Sequence, residues 1–374
     1  MSNYKNVFFS TLPLVPDLTK HSVAVVVTHL VSDASNFLSA VKDQFSDLIV
    51  IPKSSSKTAA ALNQYSNYGV MLDFTRHQIM KNPSEVMRIL DSYILGRKFL
   101  IFDMGGYFSP LIDVLNDKVG QFIGIIEDTE NGHLRYYKAI NKSSRCKFPI
   151  ISVARSELKE PEDILVGQAI AFSVEKVLRS NLLILVNKSV LVIGYGKIGA
   201  GICSAMKGRG AAVHFYDVDP LRTIKALASG YKTGEKSDLL SNADLIISAT
   251  GNKGLSKNDL QYVKSGVYIF TATSSDDEFE ECLLKFCQIV TRDSNLVEIN
   301  LEKDVKKVHL YNGGNSINFV DGAVVDRYIE LVQAEMLLAA NLLHTKDPGK
   351  LCEVGNSEKR FIARSWLNYY ANYS

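Results

Sequence analysis

The feature that most constrains this chain is a glycine-rich turn between an apolar strand and a helix. In SVLVIGYGKIGAGICSAMKGRGAAVHFYDVDP, Gly194, Gly196 and Gly199 form a G-x-G-x-x-G pattern directly after the apolar run. The first glycine permits the tight turn, the second leaves room for a pyrophosphate, and the third lets helix and strand pack closely. Lys197 and Ile198 begin the helix, whose N-terminus is a natural anion site. The pattern predicts a dinucleotide-binding βαβ unit.

The residues after this turn indicate which dinucleotide is bound. A second strand, Ala212 to Tyr216, ends in Asp217, where a carboxylate can accept hydrogen bonds from the adenosine ribose hydroxyls. Because Asp217 would repel the 2′-phosphate of NADP, we predict NAD. A third strand, Asp244 to Ser248, precedes a loop that a Rossmann fold places over the nucleotide and that contains Thr250, Gly251 and Asn252. The side chains of this loop can donate hydrogen bonds, although Thr-Gly-Asn is also a common turn.

The rest of the chain shows alternating strand and helix patterns. Short β-branched runs predict strands, and amphipathic stretches between them predict helices, as in a parallel sheet covered by helices. The predicted strands of the first half are Ser22 to Thr28, Asp47 to Ile51, Gly69 to Asp73, Lys98 to Asp103 and Phe122 to Ile126. The predicted helices are Asp33 to Lys42, Pro83 to Leu95 and Gly132 to Ile140. The alternation restarts at Lys188 and continues to about Phe319.

These patterns predict an α/β fold of two doubly wound lobes, a flavodoxin-like substrate lobe and a Rossmann NAD-binding lobe, with a cleft between them. We place the substrate lobe at residues 1–165, the Rossmann lobe at 166–323 and a C-terminal tail at 346–374. A helix is predicted to start near Pro161 and to run to about Arg179, because proline suits the first helical position and acidic residues suit the first turn. We expect this helix to bridge the lobes. The stretch Val324 to Leu343, without Gly or Pro, predicts one long helix, 324–345, that joins the first lobe.

Composition argues against several classes of protein. The 374 residues are 46% hydrophobic and 22% charged with a net charge of +2, so nothing indicates nucleic acid as a partner. The odd number of cysteines and the lack of a close pair favour a reducing compartment and argue against a disulfide framework or a zinc site; they are Cys146, Cys203, Cys282, Cys287 and Cys352. We find no secretory signal pattern and no segment long enough to span a membrane. We expect a cytoplasmic protein with a small-molecule substrate, no metal and no membrane partner.

Several motifs resemble those of the S-adenosylhomocysteine hydrolase family, across most of the chain. In the cofactor lobe these are GYGKIGAG, YDVDP, SATGNKG and the helix ending in LVQAEMLLAA. In the first lobe, Thr28 and His29 followed by Asp33 resemble the strand-end histidine and adenine-side acid of the family. The segment Asp103 to Gly106 resembles its Asp-Asp-Gly-Gly, and EDTENG at Glu127 to Gly132 resembles its Glu-Glu-Thr-Thr-Thr-Gly.

The resemblance implies a mechanism and a set of site residues. In that family a tightly held NAD oxidises the ribose 3′-hydroxyl, homocysteine is eliminated, water adds, and the hydride returns. Lys159 and Asp163, which follow FPIISV, fall where the family keeps a catalytic lysine and aspartate. The catalytic residues that the resemblance implies are His29, Asp103, Asp128, Lys159 and Asp163. The resemblance also implies cofactor contacts from Thr129 and Asn318 and a homo-oligomer, either a dimer or a tetramer.

Other positions depart from the family pattern. Met104 stands where the family has its second aspartate, and Ser274 stands where it has a histidine. The Gly-His-Pro loop is shortened to Asp321, Gly322 and Ala323, and the usual lysine-containing tail is replaced by RSWLNYYANYS. Because these changes remove groups that move protons, authentic S-adenosylhomocysteine hydrolysis is less expected.

Three functions therefore stay open. The first is an enzyme that keeps its NAD and oxidises a carbinol of a nucleoside-like or other small polar substrate. The second is a non-catalytic, NAD-binding regulatory homologue, and the third is a simple dehydrogenase that releases NADH in each turnover. Structural roles also stay open, because His29 can be a hydrogen-bonded strand-end residue, Asp163 an acid at a helix N-terminus, and Asp128 and Thr129 helix caps.

Overall fold

The computed structural model describes residues 7–12, 20–31, 33–142, 146–279, 287–289, 296–300 and 305–371. The chain forms two compact units, which we treat separately. The first unit is Met1–Lys159 with Asp326–Ser374, and the second unit is Glu160–Val325. Three of the cysteines, Cys146, Cys203 and Cys352, are free thiols, and Cys203 is buried in the core. Cys282 lies outside the described residues.

Parallel strands dominate both units. In chain order the strands are Ser22–Thr28 (β1), Asp47–Pro52 (β2), Val70–Met71 (β3), Lys98–Asp103 (β4), Phe122–Glu127 (β5), Ile150–Ser152 (β6), Ser189–Ile193 (β7), Ala212–Tyr216 (β8), Leu245–Ser248 (β9), Tyr268–Thr271 (β10), Cys287–Ile289 (β11), Leu296–Asn300 (β12), Val305–Leu310 (β13) and Leu351–Cys352 (β14). The predicted bounds of β1, β4 and β8 agree with these, whereas the predicted strand Gly69 to Asp73 shortens to β3.

The helices lie between these strands. In chain order the described α-helices are Val7–Ser10 (α1), Ala34–Gln44 (α2), Ala59–Tyr65 (α3), Arg76–Lys81 (α4), Pro83–Ile94 (α5), Ile112–Asn116 (α6), Glu130–Lys142 (α7), Glu160–Ser180 (α8), Lys197–Gly208 (α9), Pro220–Ala228 (α10), Lys236–Asn242 (α11), Ser275–Glu278 (α12), Ile329–Leu342 (α13) and Asn356–Tyr370 (α14). The predicted bridging helix corresponds to α8.

The sheet of the first unit has the strand order β14-β6-β5-β4-β1-β2-β3, and its paired strands are parallel. Without the two-residue edge strands β3 and β14, the order β2-β1-β4-β5-β6 is that of flavodoxin-like sheets. The direction of winding changes between β1 and β4, and ligands bind at the carboxyl ends of strands at such a switch point. The expected site of this unit is therefore the carboxyl edge of the sheet, where His29 follows β1 and Asp103 ends β4.

Both faces of this sheet are covered, which explains the unbroken apolar runs of its strands. In β1, Ala24 and Val26 pack with residues of α2 and α13, while Val23, Val25 and Val27 pack with residues of α5 on the other face. α13 is buried along its length, from Glu330 to Asn341. It begins at Ile329 rather than at the predicted Val324, because the left-handed backbone at Ala323 and Asp326, with φ of 50° and 56°, breaks the helix.

The sheet of the second unit has the order β11-β12-β13-β10-β9-β7-β8. The pairs among β7, β8, β9, β10 and β13 are parallel, and β12 pairs antiparallel with β11 and β13. The direction of winding changes between β7 and β9, at the end of the glycine-rich strand. The prediction of an α/β protein with two doubly wound sheets is confirmed.

The ends of the units differ in detail from the predicted boundaries. The second unit begins at Glu160, so the predicted boundary at 165 falls inside α8. Residues 346–374, which the sequence suggested as a tail, contain β14 and α14 and belong to the first unit. Ile362 of α14 is fully buried there, and the Lys359 ammonium binds the Glu157 carboxylate at 2.9 Å. Over the described part of the chain, no helix has the length and apolar character needed to cross a membrane.

Candidate functional site

The glycine turn after β7 has the geometry that its pattern requires. Gly194 has a φ of +95°, and a Cβ there would lie 2.7 Å from the carbonyl oxygen of Ala249. A Cβ at Gly199 would lie 2.0 Å from the carbonyl oxygen of Gly194, so helix and turn touch through backbone. At Gly196, in contrast, the nearest atom to such a Cβ is Arg222 Nη1 at 3.9 Å. The turn thus leaves room for a phosphate at the second glycine, where α9 begins.

The carboxylate of Asp217 joins the end of β8 to this turn. Its Oδ2 accepts a hydrogen bond from the backbone N–H of Tyr195 at 2.6 Å, and its Oδ1 accepts one from Asp219 N–H at 2.8 Å. The Arg222 guanidinium lies 3.9 Å from the same Oδ2. An acid at the end of the second strand, next to the pyrophosphate turn, is where a Rossmann fold binds the adenosine ribose.

Two charged residues meet at the start of α9. The ammonium of Lys197, in the first turn of α9, lies 3.6 Å from Oδ2 of Asp163, in the first turn of α8. Asp163, predicted as the partner of a catalytic lysine, therefore faces a lysine of the cofactor turn. A carboxylate in the first turn also stabilises α8 through the helix dipole.

The loop after β9 is held by a residue that the sequence did not suggest. Thr250 Oγ1 and Gly251 N–H both donate to the carboxylate of Glu278, each at 2.8 Å. Asn252 is exposed, and its backbone N–H donates to Thr250 Oγ1 at 3.0 Å. Asn318 is buried, and its Oδ1 accepts a hydrogen bond from Ser316 Oγ at 2.5 Å.

In the first unit, Asp103 ends β4 with both of its carboxylate oxygens engaged. Oδ1 accepts from Tyr107 N–H at 3.0 Å, Oδ2 accepts from Phe108 N–H at 2.8 Å, and the Tyr136 hydroxyl also donates to Oδ2. Burial raises the pKa of Asp103, although these hydrogen bonds oppose the shift. Its carboxylate thus stabilises the loop that follows β4.

Glu127 has a similar position at the end of β5. Its carboxylate accepts from the N–H groups of Gly105 and Gly106, at 3.0 and 2.8 Å, and from both N–H and Oγ1 of Thr129, at 2.7 Å each. Burial, followed by the charges of Asp103 and Asp128, raises the pKa of Glu127 well above its usual value. Thr129 also caps α7, because its Oγ1 accepts from Gly132 N–H at 2.9 Å.

Asp128 differs from these two acids. The residue is only 8% exposed, yet its Oδ1 finds no hydrogen-bond partner among the residues that the structure describes. Burial raises the pKa of Asp128, and the positive charges of Lys159 and then Lys53 oppose that shift. Lys159 is itself 8% exposed, on the turn Glu157–Lys159. The pair is a buried carboxylate, with one oxygen that lacks a partner among the described residues, and an ammonium group that favours its charged form.

His29 follows β1 at the same edge of the sheet. Its Nδ1 lies 3.2 Å from Ser56 Oγ, which also accepts a hydrogen bond from Leu30 N–H at 3.0 Å. Burial and then the charge of Lys53 lower the pKa of His29 well below its usual value. The imidazole is therefore neutral near pH 7, where its ring nitrogens can take part in hydrogen bonds but it carries no charge.

Four residues of these sites were missed: Lys53, Ser56, Tyr136 and Glu278. Lys53 and Ser56 follow the carboxyl end of β2. That position could have indicated them as site residues, because the carboxyl ends of neighbouring parallel strands share one edge of the sheet. Tyr136 and Glu278 carry no local pattern. Throughout the ranges that the structure describes, no group of three or more His, Cys, Asp or Glu residues is arranged to hold a metal ion.

Where the chain departs from the family pattern, the structure shows local roles. Met104 packs against the core on one face of the first sheet. Ser274 Oγ lies 2.9 Å from Oδ2 of Asp277, and Asp321 pairs with Lys176 of α8. Met104, Ser274 and Asp321 each have a packing or polar contact, so the surroundings accommodate each substitution.

Comparison with known proteins identifies the second unit. Residues 171–328 match the model of the NAD-binding domain of S-adenosyl-L-homocysteine hydrolase. An S-inosyl-L-homocysteine hydrolase from Methanopyrus kandleri is 29% identical over 209 residues, which cover 55% of this chain and 49% of that protein. An adenosylhomocysteinase from Sulfolobus acidocaldarius is 28% identical over 224 residues, which cover 59% of this chain and 53% of that protein. The chain thus spans about half the length of these curated relatives.

Solved structures add little to this comparison. A phosphoglycerate oxidoreductase from Vibrio cholerae is 12% identical, and the match covers 71% of this chain and 79% of that chain with a TM-score of 0.42. The match to the NAD-binding domain, in contrast, includes the glycine turn, Asp217 and the loop after β9. NAD is therefore confirmed as the cofactor.

Proposed function

Because residues 171–328 match the NAD-binding domain of S-adenosyl-L-homocysteine hydrolase, we propose that the chain is a divergent member of that family and uses bound NAD to oxidise an alcohol carbon of a nucleoside-type substrate. The two relatives are named for hydrolysis of inosyl and adenosyl thioethers of homocysteine. A nucleoside, free or as such a thioether, is accordingly the substrate class that we propose. The residues expected to act on it lie at the carboxyl edge of the first sheet.

The observation that carries this proposal is the unpartnered carboxylate oxygen of Asp128. A buried polar atom without a hydrogen bond costs free energy, so each such atom calls for an explanation, and a bound ligand is one. A substrate hydroxyl would supply the missing donor. The neighbouring ammonium of Lys159 favours the charged form of the carboxylate, which is the form that accepts a proton.

The proposed division of work follows from this arrangement. Bound NAD supplies the hydride acceptor, as it does in enzymes that oxidise alcohols. Gly194, Gly196 and Gly199 hold its pyrophosphate at the start of α9, and Asp217 binds its adenosine ribose. In the first unit, Asp128 accepts the proton of the substrate hydroxyl. Neutral His29, positioned by Ser56, binds a further polar group of the substrate.

Hydrolysis of the thioether itself is not proposed. Met104 and Ser274 stand where the family pattern has two groups that move protons. The thioether side chain of Met104 and the uncharged hydroxyl of Ser274 cannot take over that role. Asp103, the acid that remains beside Met104, accepts hydrogen bonds from its own loop with both oxygens. We therefore propose the oxidation, which needs one base, and not the later elimination and addition of water.

The test uses the purified full chain with its bound NAD, whose content native mass spectrometry measures. Adding adenosine or inosine should produce the absorbance band of reduced nicotinamide, and 3′-deoxyadenosine, which lacks the hydroxyl, should not. Asp128→Asn should slow this reduction about 100-fold or more with NAD content unchanged. The exposed acid Asp117 provides a matched control, because Asp117→Asn should leave the rate unchanged. If both nucleosides leave bound NAD oxidised in the wild-type protein, the proposed oxidation is wrong.

A second candidate function is NAD-dependent regulation without catalysis. The engagement of Asp103 and Glu127 by backbone N–H groups of the loop after β4 favours it, since neither acid is left to act on a substrate. This candidate predicts that Lys159→Ala leaves biological activity intact and that Asp217→Ala abolishes it. The oxidation proposal predicts that both substitutions abolish activity.

A further inference from the structure

One buried carboxylate gathers hydrogen bonds from several segments around the cofactor turn. Besides the bonds from Thr250 and Gly251, Glu278 accepts from Ser248 Oγ at 2.5 Å and from Thr273 Oγ1 at 2.6 Å. The N–H of Thr250 is a further donor at 3.2 Å. Glu278 itself is fully buried. Its carboxylate thus joins the end of β9, the loop after β9 and the segment after β10.

The backbone around Glu278 strengthens this connection. Leu255 N–H donates to the carbonyl oxygen of Glu278 at 3.2 Å, and Lys253 N–H donates to that of Asp277 at 2.7 Å. Gly254 lies between these two donors. A Cβ there would lie 2.1 Å from Ser248 Oγ and 3.1 Å from Glu278 Oε2, so only glycine lets the loop approach the carboxylate so closely.

The other side of the same loop packs on the glycine turn. Besides its contact with Ala249, a Cβ at Gly194 would lie 3.1 Å from the Cα of Thr250. Ala249 N–H also donates to the carbonyl oxygen of Ile193 at 2.8 Å, directly before the turn. The loop that Glu278 holds is therefore one wall of the turn, at the switch point between β7 and β9 where nucleotides bind.

We propose that Glu278 is a positioning residue for the cofactor. It acts through the loop Ala249–Asn252 and sets the shape of the glycine turn from behind. The inference rests on the NAD binding of the second unit and goes beyond it by naming a determinant of affinity that lies outside the glycine pattern. Because interactions that preorganise a site raise its affinity, loosening this loop should weaken NAD binding more than it weakens the fold.

Glu278→Gln is the direct test. A carboxylate accepts at both oxygens, but an amide presents N–H donors on one side. The hydroxyls of Ser248 and Thr273 can rotate to accept from that side, whereas the backbone N–H groups of Thr250 and Gly251 cannot. One of these N–H groups then faces a donor. We expect the Kd for NAD to rise about tenfold to hundredfold, measured by isothermal titration calorimetry on the full chain freed of bound NAD.

The control separates a local effect from a general loss of stability. Asp244 is an acid of the same sheet that accepts from Ser189 N–H at 2.9 Å and from Lys264 Nζ at 2.7 Å. It precedes β9 and so lies at the amino edge, away from the cofactor turn. Asp244→Asn weakens the contacts of a partly buried acid, so it should lower the melting temperature, and it should leave the Kd for NAD within twofold of wild type.

A second pair of variants keeps the test decisive if Glu278→Gln does not fold. Thr273→Val removes one donor to the carboxylate and should raise the Kd severalfold, whereas Thr273→Ser keeps the hydroxyl and should restore the wild-type Kd. An unchanged Kd in Glu278→Gln, or an equal rise in Asp244→Asn, would overturn the proposal. Failure of the wild-type chain to bind NAD would instead contradict the cofactor assignment, so the two failures are distinguishable.

Discussion

Glu335 should make the stability of the first unit depend on pH near neutrality. The residue is fully buried in α13, and burial raises the pKa of its carboxyl to about 7, although Ser156 and Lys359 favour the charged form. In the unfolded chain the same carboxyl titrates near its ordinary value of 4.5. Since the pKa is higher in the folded state, the protonated carboxyl of Glu335 contributes stability that is fully present below pH 4.5. That contribution is lost as the pH rises through 7.

The size of this effect follows from the two pKa values. A shift from 4.5 to about 7 corresponds to about 3 kcal/mol of stability lost once the carboxyl is ionised in both states. Glu335→Gln cannot ionise and so escapes this loss. Relative to wild type, we expect the variant to gain about 2 kcal/mol more at pH 8 than at pH 5. That difference corresponds to roughly 4–8 °C in melting temperature for a unit of this size.

The assay is thermal unfolding followed by circular dichroism at pH 5 and pH 8. Glu85 is an exposed glutamate of α5, and Glu85→Gln controls for the general effect of replacing a glutamate by an amide. The change in melting temperature of Glu335→Gln should depend on pH more strongly than that of the control. If Glu335→Gln changes the melting temperature equally at the two pH values, burial does not raise the pKa of Glu335 and the reasoning is refuted.

Two further predictions concern the cofactor turn and the first sheet. In α9, Gly199→Ala should abolish NAD binding and lower the free energy of unfolding by about 1–3 kcal/mol, because its Cβ would meet the carbonyl oxygen of Gly194. Gly208→Ala should leave NAD binding intact, because no atom lies within 4 Å of its Cβ. Calorimetric titration with NAD checks this pair, and equal affinities would contradict the packing argument. Tyr136→Phe removes a hydrogen bond to Asp103 and should cost roughly 1–2 kcal/mol, measured by thermal unfolding; an unchanged melting temperature would show that Asp103 does not depend on that bond.

Much of the fold could be predicted because it depends on local patterns. The strands β1 and β4 are buried on both faces, so they appear in the sequence as short unbroken apolar runs with polar residues at each end. The start of α13 could not be predicted in this way. The break before it comes from left-handed backbone at Ala323 and Asp326, and neither residue type marks such a conformation as glycine would.

The candidate site was predictable only in part, for a related reason. The glycines and Asp217 act through positions close to one another in sequence, and their spacing carries the signal. Glu278 acts on residues 27 and 30 positions away, Gly251 and Ser248, and nothing in the intervening sequence links them. Lys53 likewise affects His29 and Asp128 only because their strands end at one edge of the sheet.

The three acids at the carboxyl edge of the first sheet show what a structure adds to such a pattern. Asp103, Glu127 and Asp128 are equivalent in sequence terms, since each lies at or directly after the end of a strand. In the structure Asp103 accepts hydrogen bonds from N–H groups of the loop after β4, and Glu127 accepts them from Gly106 of that same loop and from Thr129. Asp128 keeps an oxygen without a partner among the described residues. Asp103, the acid beside Met104, thus has a structural role. The absence of a second aspartate at position 104 does not by itself remove the proposed base, Asp128. If chemistry occurs in the first unit, it should depend on Asp128 and Lys159, which the departures from the family pattern leave intact.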